Sequence, residues 1–224
     1  MLKVKALLFD VFGTVVDWRT GIAKEVESVV NKNDISLDPF DFADAWRAEY
    51  QPAMEEIRKG RRSFTILDTL HMENLKKIAS KFNLNNISDE DFKLLVTAWH
   101  RLPGWPDSSE GINLLKKKYI LATQSNGNIA LIVNMAKFSN LNWDVVLGAE
   151  VIGHYKPEPE AYLKACNALN FKTEECLMVA AHEDDLKAAR QQGMKTAYVY
   201  RPFEYGTDKL FDINEVNDYK DDRE

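Results

Sequence analysis

Side chains able to do chemistry stand at the ends of apolar runs in this 224-residue chain. Asp10 closes LLFD, Ser125–Asn126 follows ILATQ, Lys156 follows VVLGAEVIGHY, and His182 with Asp185 follows LMVAA. A carboxylate can be a nucleophile, a hydroxyl beside an amide can bind an anion, an ammonium can keep a carboxylate ionised, and a histidine can carry a proton near neutral pH. Each residue also has a plainer reading. Asp10 could cap a helix or a turn, Ser125–Asn126–Gly127 could be only a turn, Lys156–Pro157–Glu158–Pro159 could start a helix, His182 could be a satisfied histidine, and Asp185 could cap LKAARQQG.

The elements that carry these residues weigh against the plainer readings taken together. Short apolar runs at 4–9, 119–123, 144–147, 176–180 and 196–200 lack polar alternation, as strands buried on both faces do. Between them, 128–137, 158–169 and 184–192 carry apolar residues at helical spacing, and Asp107 with Glu110 forms a capping box before GINLLKKK. The pattern predicts an α/β fold with a doubly wound parallel sheet of Rossmann-like type. In such sheets ligands bind beyond the carboxyl ends of the strands, where all four groups would meet. Independent loop residues have no reason to fall on one edge of one sheet. Residues 17–99 hold helical patterns without a convincing strand, including a Ser88–Asp91 capping box before FKLLVTAWH. They read as an α-helical cap inserted on the loop leaving the first strand, with 1–16 and 100–224 forming the core. The polar stretch from 203 reads as loop or disordered tail.

Composition narrows the partners. There are 29 basic and 35 acidic residues, for a net charge of −6, and KGRR at 59–62 and LKKKY at 115–119 are short enough to be solvated helix ends. Nucleic acid is not an expected partner. Cys166 and Cys176 lack CxxC spacing and read as buried thiols of a reducing compartment. Asp10 interrupts the N-terminal apolar run at once, so it is a strand and not a membrane span or a secretory segment. A cytoplasmic protein without membrane attachment is expected. Trp18, Trp46, Tyr50 and Trp99 could build either a core or the surface of a homodimer.

The segments FDVFGTVVDW, QSNGN, YKPEPEAY and VAAHEDDLKAARQQGMKT, in that order, resemble the haloacid dehalogenase superfamily, and within it the type II 2-haloacid dehalogenases. The phosphatases of that superfamily carry a second aspartate two positions after the nucleophile, to protonate the leaving alkoxide. Here that position is Phe12. A halide leaves as a stable anion and needs no proton. Phosphatases also hold Mg²⁺ with an aspartate just after the fourth strand, where this chain has Ala180–Ala181, so no metal or other cofactor is implied. The resemblance implies that Asp10 attacks the halogen-bearing carbon of a small 2-haloalkanoic acid and forms an enzyme ester. It further implies that Thr14 orients Asp10, and that Ser125 with the backbone N–H groups of Val11 and Phe12 binds the substrate carboxylate. Asn126 would face the carboxylate or the halide, and Lys156, held by Tyr162, would keep Asp10 ionised.

Two departures qualify the resemblance. Ala180–Ala181–His182 replaces the common Ser-x-Asn, which makes His182, oriented by Asp185 or Glu183, a base for the water that cleaves the ester, with Asp185 and Lys156 as the alternative. The position of the halide-binding arginine falls on Met54 or Ile57, leaving Arg47 and Arg58 as substitutes. A Mg²⁺-dependent phosphatase-like enzyme and a degenerate, non-catalytic binding protein remain alternatives.

Overall fold

Ala6–Phe9 (β1) is buried on both faces at the centre of the computed structural model, which describes residues 3–84 and 87–207. Ile120–Thr123 (β2) pairs on one side of it and Cys176–Ala180 (β3) on the other, and Lys195–Tyr198 (β4) pairs with β3. Every pairing is parallel and the order is β2-β1-β3-β4. Parallel strands need crossovers, which here are helical, so all four carboxyl ends open on one edge. This is the predicted doubly wound α/β architecture.

The run at 144–147 is a correction. Among the described residues it makes only an isolated bridge, Val145 to Ala122. Side chains take the places of ladder partners: Leu121 N–H donates to Asp144 Oδ2 at 3.0 Å, and Leu147 N–H donates to Thr123 Oγ1 at 2.9 Å. A ladder satisfied by side chains does not extend as a strand.

Between β1 and β2 the chain is helical, as predicted: Trp18–Lys32 (α1), Pro39–Ala48 (α2), Tyr50–Arg58 (α3), Leu67–Ala79 (α4) and Asp89–Val96 (α5), then a 3₁₀ turn at Ala98–Arg101. Asp17 and Asp38 cap α1 and α2 by accepting backbone N–H groups, and Ser88 caps α5 by accepting from Asp91 N–H. Ser108–Leu115 (α6) leads into β2, but Asp107 makes no cap. Its carboxylate lies 2.8 Å from Arg201 instead, so the Asp107–Glu110 capping box does not form. Ile129–Phe138 (α7), Ala149–Ile152 (α8), Pro159–Ala168 (α9) and Glu183–Gln191 (α10) complete the crossovers.

Trp18, Trp46, Tyr50 and Trp99 are all buried within the chain, so they serve as core. Arg61 and Arg62 pair with Glu56 and Glu73 at the surface, as solvated helix ends do. Cys166 and Cys176 are free and buried. Among the described residues no helix is long and apolar enough to cross a membrane. Of the polar stretch from 203, residues 203–205 lie in a turn and 208–224 lie outside the described residues.

Candidate active site

Asp10 stands one residue past β1, and its own N–H continues the ladder by donating to Val179 O at 2.9 Å. It is 6% exposed, and each of its oxygens is engaged. Oδ1 accepts from Lys156 Nζ at 2.9 Å. Oδ2 accepts from Thr14 Oγ1 at 2.7 Å and faces His182 Nδ1 at 3.1 Å. Ala181 N–H donates to Thr14 Oγ1 at 2.8 Å, which turns the hydroxyl proton toward Asp10. Burial works against ionisation of Asp10, but Lys156, His182 and Thr14 hold it well below the usual carboxylate range.

Lys156 is a buried ammonium between two carboxylates, bonded to Asp185 Oδ2 as well as to Asp10. Burial opposes its charge, yet the two anions raise it above the ordinary lysine value. Its backbone is fixed from two directions: Asn126 Oδ1 accepts from Lys156 N–H at 2.8 Å, and Arg58 donates to Lys156 O at 3.0 Å. Tyr162 reaches Lys156 only indirectly, since its hydroxyl donates to Asp185 Oδ1 at 2.6 Å. Tyr162 thus holds Lys156 by way of Asp185. Both oxygens of Asp185 are thus committed away from His182.

Neither Asp185 nor Glu183 orients His182. Glu183 pairs with Arg190, and the partner of His182 Nε2 is Glu204, 3.0 Å away from each carboxylate oxygen. Burial disfavours the imidazolium, but the contacts with Asp10 and Glu204 push His182 up to about 10, so both nitrogens carry protons at neutral pH. A doubly protonated ring has no lone pair to offer as a base. Glu204 is the candidate site residue that sequence reasoning missed. It is the same kind of signal as the others, a polar residue beyond an apolar run, but it stands in a stretch that reads as tail.

Glu204 is held by Trp18 Nε1 at 3.0 Å and passes over Gly13. Gly13 has φ +84°, and a Cβ there would come within 2.1 Å of Glu204 Oε1. Gly13→Ala should therefore destabilise the fold by more than the roughly 1–2 kcal/mol that the left-handed backbone alone costs, and by more than Gly60→Ala, where φ is +69° and nothing lies within 4 Å. Parallel thermal melts measure the difference.

A cavity of about 420 Å³ opens beside Asp10, lined by Phe12, Arg47, Tyr50, Asn126, Lys156 and His182, among others. Phe12 is buried and its ring packs edge-on against Tyr50 and Trp99. It is a wall with no proton to give. The two arginine candidates separate here. Arg58 is tied to Glu55, Gln51 and Lys156 O, whereas Arg47 lies over the Tyr50 ring at 4.0 Å and its buried Nη1 has no partner among the described residues. Met54 is part of the core. Among the described residues the buried N–H groups of Val11 and Phe12 have no acceptor, while Ser125 Oγ accepts from Gly127 N–H and keeps its own proton to donate.

This donor set does not fit a divalent cation. The point between Asp10 and Asp185 belongs to the Lys156 ammonium, Ala181 has no ligand atom in its side chain, and no cluster of three or more His, Cys, Asp or Glu suited to a metal occurs among the described residues.

The haloacid dehalogenase-like hydrolase family matches residues 4–193. The chain belongs to that family. The fold of this hydrolase superposes on the crystal structure of a defluorinating L-2-haloacid dehalogenase with a TM-score of 0.90 and 42% identity, covering 93% of this chain and 86% of the other. An (S)-2-haloacid dehalogenase of Burkholderia cepacia, 4A, is 26% identical over 213 residues, which are 89% of this chain and 84% of that one. A probable phosphatase of Dickeya dadantii, IndB, is 30% identical over 193 residues, 84% of this chain and 77% of that one. Family membership alone leaves the bond that is cleaved to the chemistry of the site.

Proposed function

We propose that this hydrolase removes halide from small 2-haloalkanoic acids through an ester on Asp10, without a metal ion. The observation that carries the reading is the pairing of an ionised, buried Asp10 with Phe12: a nucleophile without an acid for its leaving group. The dehalogenase relatives support the substrate class. Residues 17–99 act as the cap over a core of 1–16 and 100–224, joined in part by Asp68 of α4, which exchanges hydrogen bonds of 3.1 and 2.8 Å with Asn128. The cytoplasm, where the free thiols stay reduced, is the compartment that fits.

The substrate carboxylate sits against the Val11 and Phe12 N–H groups and the Ser125 hydroxyl, which brings C2 before an Asp10 oxygen. Asp10 attacks C2, an O–C bond forms, and the carbon–halogen bond breaks with its electron pair leaving on the halide. Arg47, with its unpartnered Nη1, receives the halide at the cap side of the cavity. Water then cleaves the ester and returns Asp10 to the carboxylate. Lys156 and His182 hold Asp10 charged before the attack; Asn126 accepts from the Lys156 N–H at 2.8 Å, and Asp185, itself held by the Tyr162 hydroxyl at 2.6 Å, pairs with the Lys156 ammonium.

The phosphatase-like alternative needs an acid at Phe12 and a cation site, and a non-catalytic protein has no need of an ionised nucleophile. Halide release from fluoro-, chloro- and bromoacetate and from both 2-chloropropionate enantiomers tests the proposal. Release is expected for at least one of them, and it should persist in excess chelator. Loss of dehalogenation in chelator with recovery on adding Mg²⁺ would overturn the metal-free mechanism.

A further inference from the structure

Glu204 has no part in the displacement step, yet it is 3% exposed and bonded to His182 at the edge of the cavity. A carboxylate is rarely buried this deeply without a charged partner. Here the partner is an imidazolium whose other nitrogen faces the nucleophile. Trp18 from α1 holds Glu204 by its indole N–H, and Gly13 leaves the space for it, so the first chemical motif and the far end of the described chain build this contact together.

The geometry points to Glu204 as the positioning residue that makes His182 the base of the second chemical step, and only after Asp10 has been esterified. The inference rests on the ester mechanism proposed above. While Asp10 is anionic, His182 carries two protons, one toward each carboxylate, and cannot accept a third. Esterification removes the charge facing Nδ1. The Nδ1 proton then leaves to solvent, while Nε2–H stays on Glu204, and the Nδ1 lone pair now faces the ester. Water attacks the Asp10 carboxyl carbon and gives its proton to Nδ1. The bond from that carbon to the substrate oxygen breaks, and the departing alkoxide takes this proton to become the 2-hydroxy acid. Asp10, released as the acid, returns its remaining proton to Nδ1 and the imidazolium reforms. One water is consumed, and one halide and one proton are released per cycle.

Other charges around His182 leave this sequence intact. Lys156 and Arg47 face it across the cavity, Arg201 and Tyr205 stand in the same loop as Glu204, Tyr198 closes β4, and Glu183, Asp184 and Asp185 belong to its own helix. Asp185 is bound to Lys156 and Tyr162 and Glu183 to Arg190, so among these groups the contacts that change on esterification are those of Asp10.

Rapid-quench kinetics on Glu204→Gln test the inference. A burst of one halide per site is expected, followed by a steady rate about 10²-fold below wild type, within the usual range for loss of general-base catalysis. Intact-protein mass spectrometry should then find the ester adduct, and peptide mapping should place it within residues 7–18. The acid limb of ester hydrolysis should move to lower pH, because the anion that raises His182 is gone, whereas Glu204→Asp should keep the wild-type limb. Asp10→Asn, which mimics the uncharged ester, supplies a readout independent of turnover: ¹⁵N NMR should show His182 change from imidazolium to the neutral Nε2–H form. Normal steady turnover in Glu204→Gln, equal loss of burst and turnover, or an imidazolium that persists in Asp10→Asn would each overturn the role of Glu204. Absence of both halide release and ester in the wild-type enzyme would overturn the dehalogenase reading itself.

Discussion

Asp10→Asn is expected to reduce halide release by roughly 10⁴-fold or more, the scale seen when a nucleophile is removed. The amide is nearly the same size, and its oxygen can still accept from Thr14 or Lys156. What it lacks is the charge and the lone-pair reactivity that let the carboxylate displace a halide. The protein should stay folded, because the Lys156–Asp185 pair and the Tyr162 bond to Asp185 do not depend on Asp10. Circular dichroism and thermal melts check the fold, and ion chromatography checks the halide. Near wild-type release would move the nucleophile elsewhere.

Lys156→Met should be nearly as damaging to activity, and more damaging to stability. Two buried carboxylates, Asp10 and Asp185, share this single ammonium. Removing one partner of a buried pair costs about 3–5 kcal/mol, because the remaining charge is left without compensation. The nucleophile also changes. With Lys156 gone, the strongest cation lowering Asp10 is lost, so its folded-state value rises toward, or past, that of an ordinary aspartate. A depressed carboxylate lends stability above its unfolded value near 3.9 and loses it as pH falls through the folded value. Wild type should therefore keep its activity and stability well into acid, whereas in the variant the acid limb of kcat/KM should move to higher pH and the Tm deficit should narrow as the pH is lowered. A pH series of melts and initial rates reads both. A variant with an unchanged acid limb would remove Lys156 from the control of Asp10.

Much of the site was legible before any coordinates because a parallel sheet does the sorting. Apolar runs of four to six residues identify strands buried on both faces, and crossovers then force their carboxyl ends to one edge. Asp10, Ser125, Asn126, His182 and Asp185 could be chosen on that rule alone, and the helical nature of 17–99 followed from its spacing. The rule fails where backbone polar groups find partners outside a ladder. The apolar run at 144–147 looks like a strand, but Asp144 and Thr123 satisfy the N–H groups that would have extended it. Asp107 looks like a cap until Arg201, from beyond the last strand, claims its carboxylate.

The sequence by itself determined the fold class, the place of Asp10 at the end of the first strand and the lack of a carboxyl group at Phe12, because these depend on residue type and on order along the chain. Tertiary structure alone decided which charges meet. Arg47 rather than Arg58 reaches the cavity because Arg58 is spent on Glu55, Gln51 and Lys156 O, contacts that no spacing along α3 reveals. Glu204 lies 22 residues beyond His182 and 186 beyond Trp18, yet it binds both. The protonation of His182 follows from that meeting and not from the histidine itself, since a proton's affinity is set by the charges within a few ångströms after folding, and these come from opposite ends of the chain.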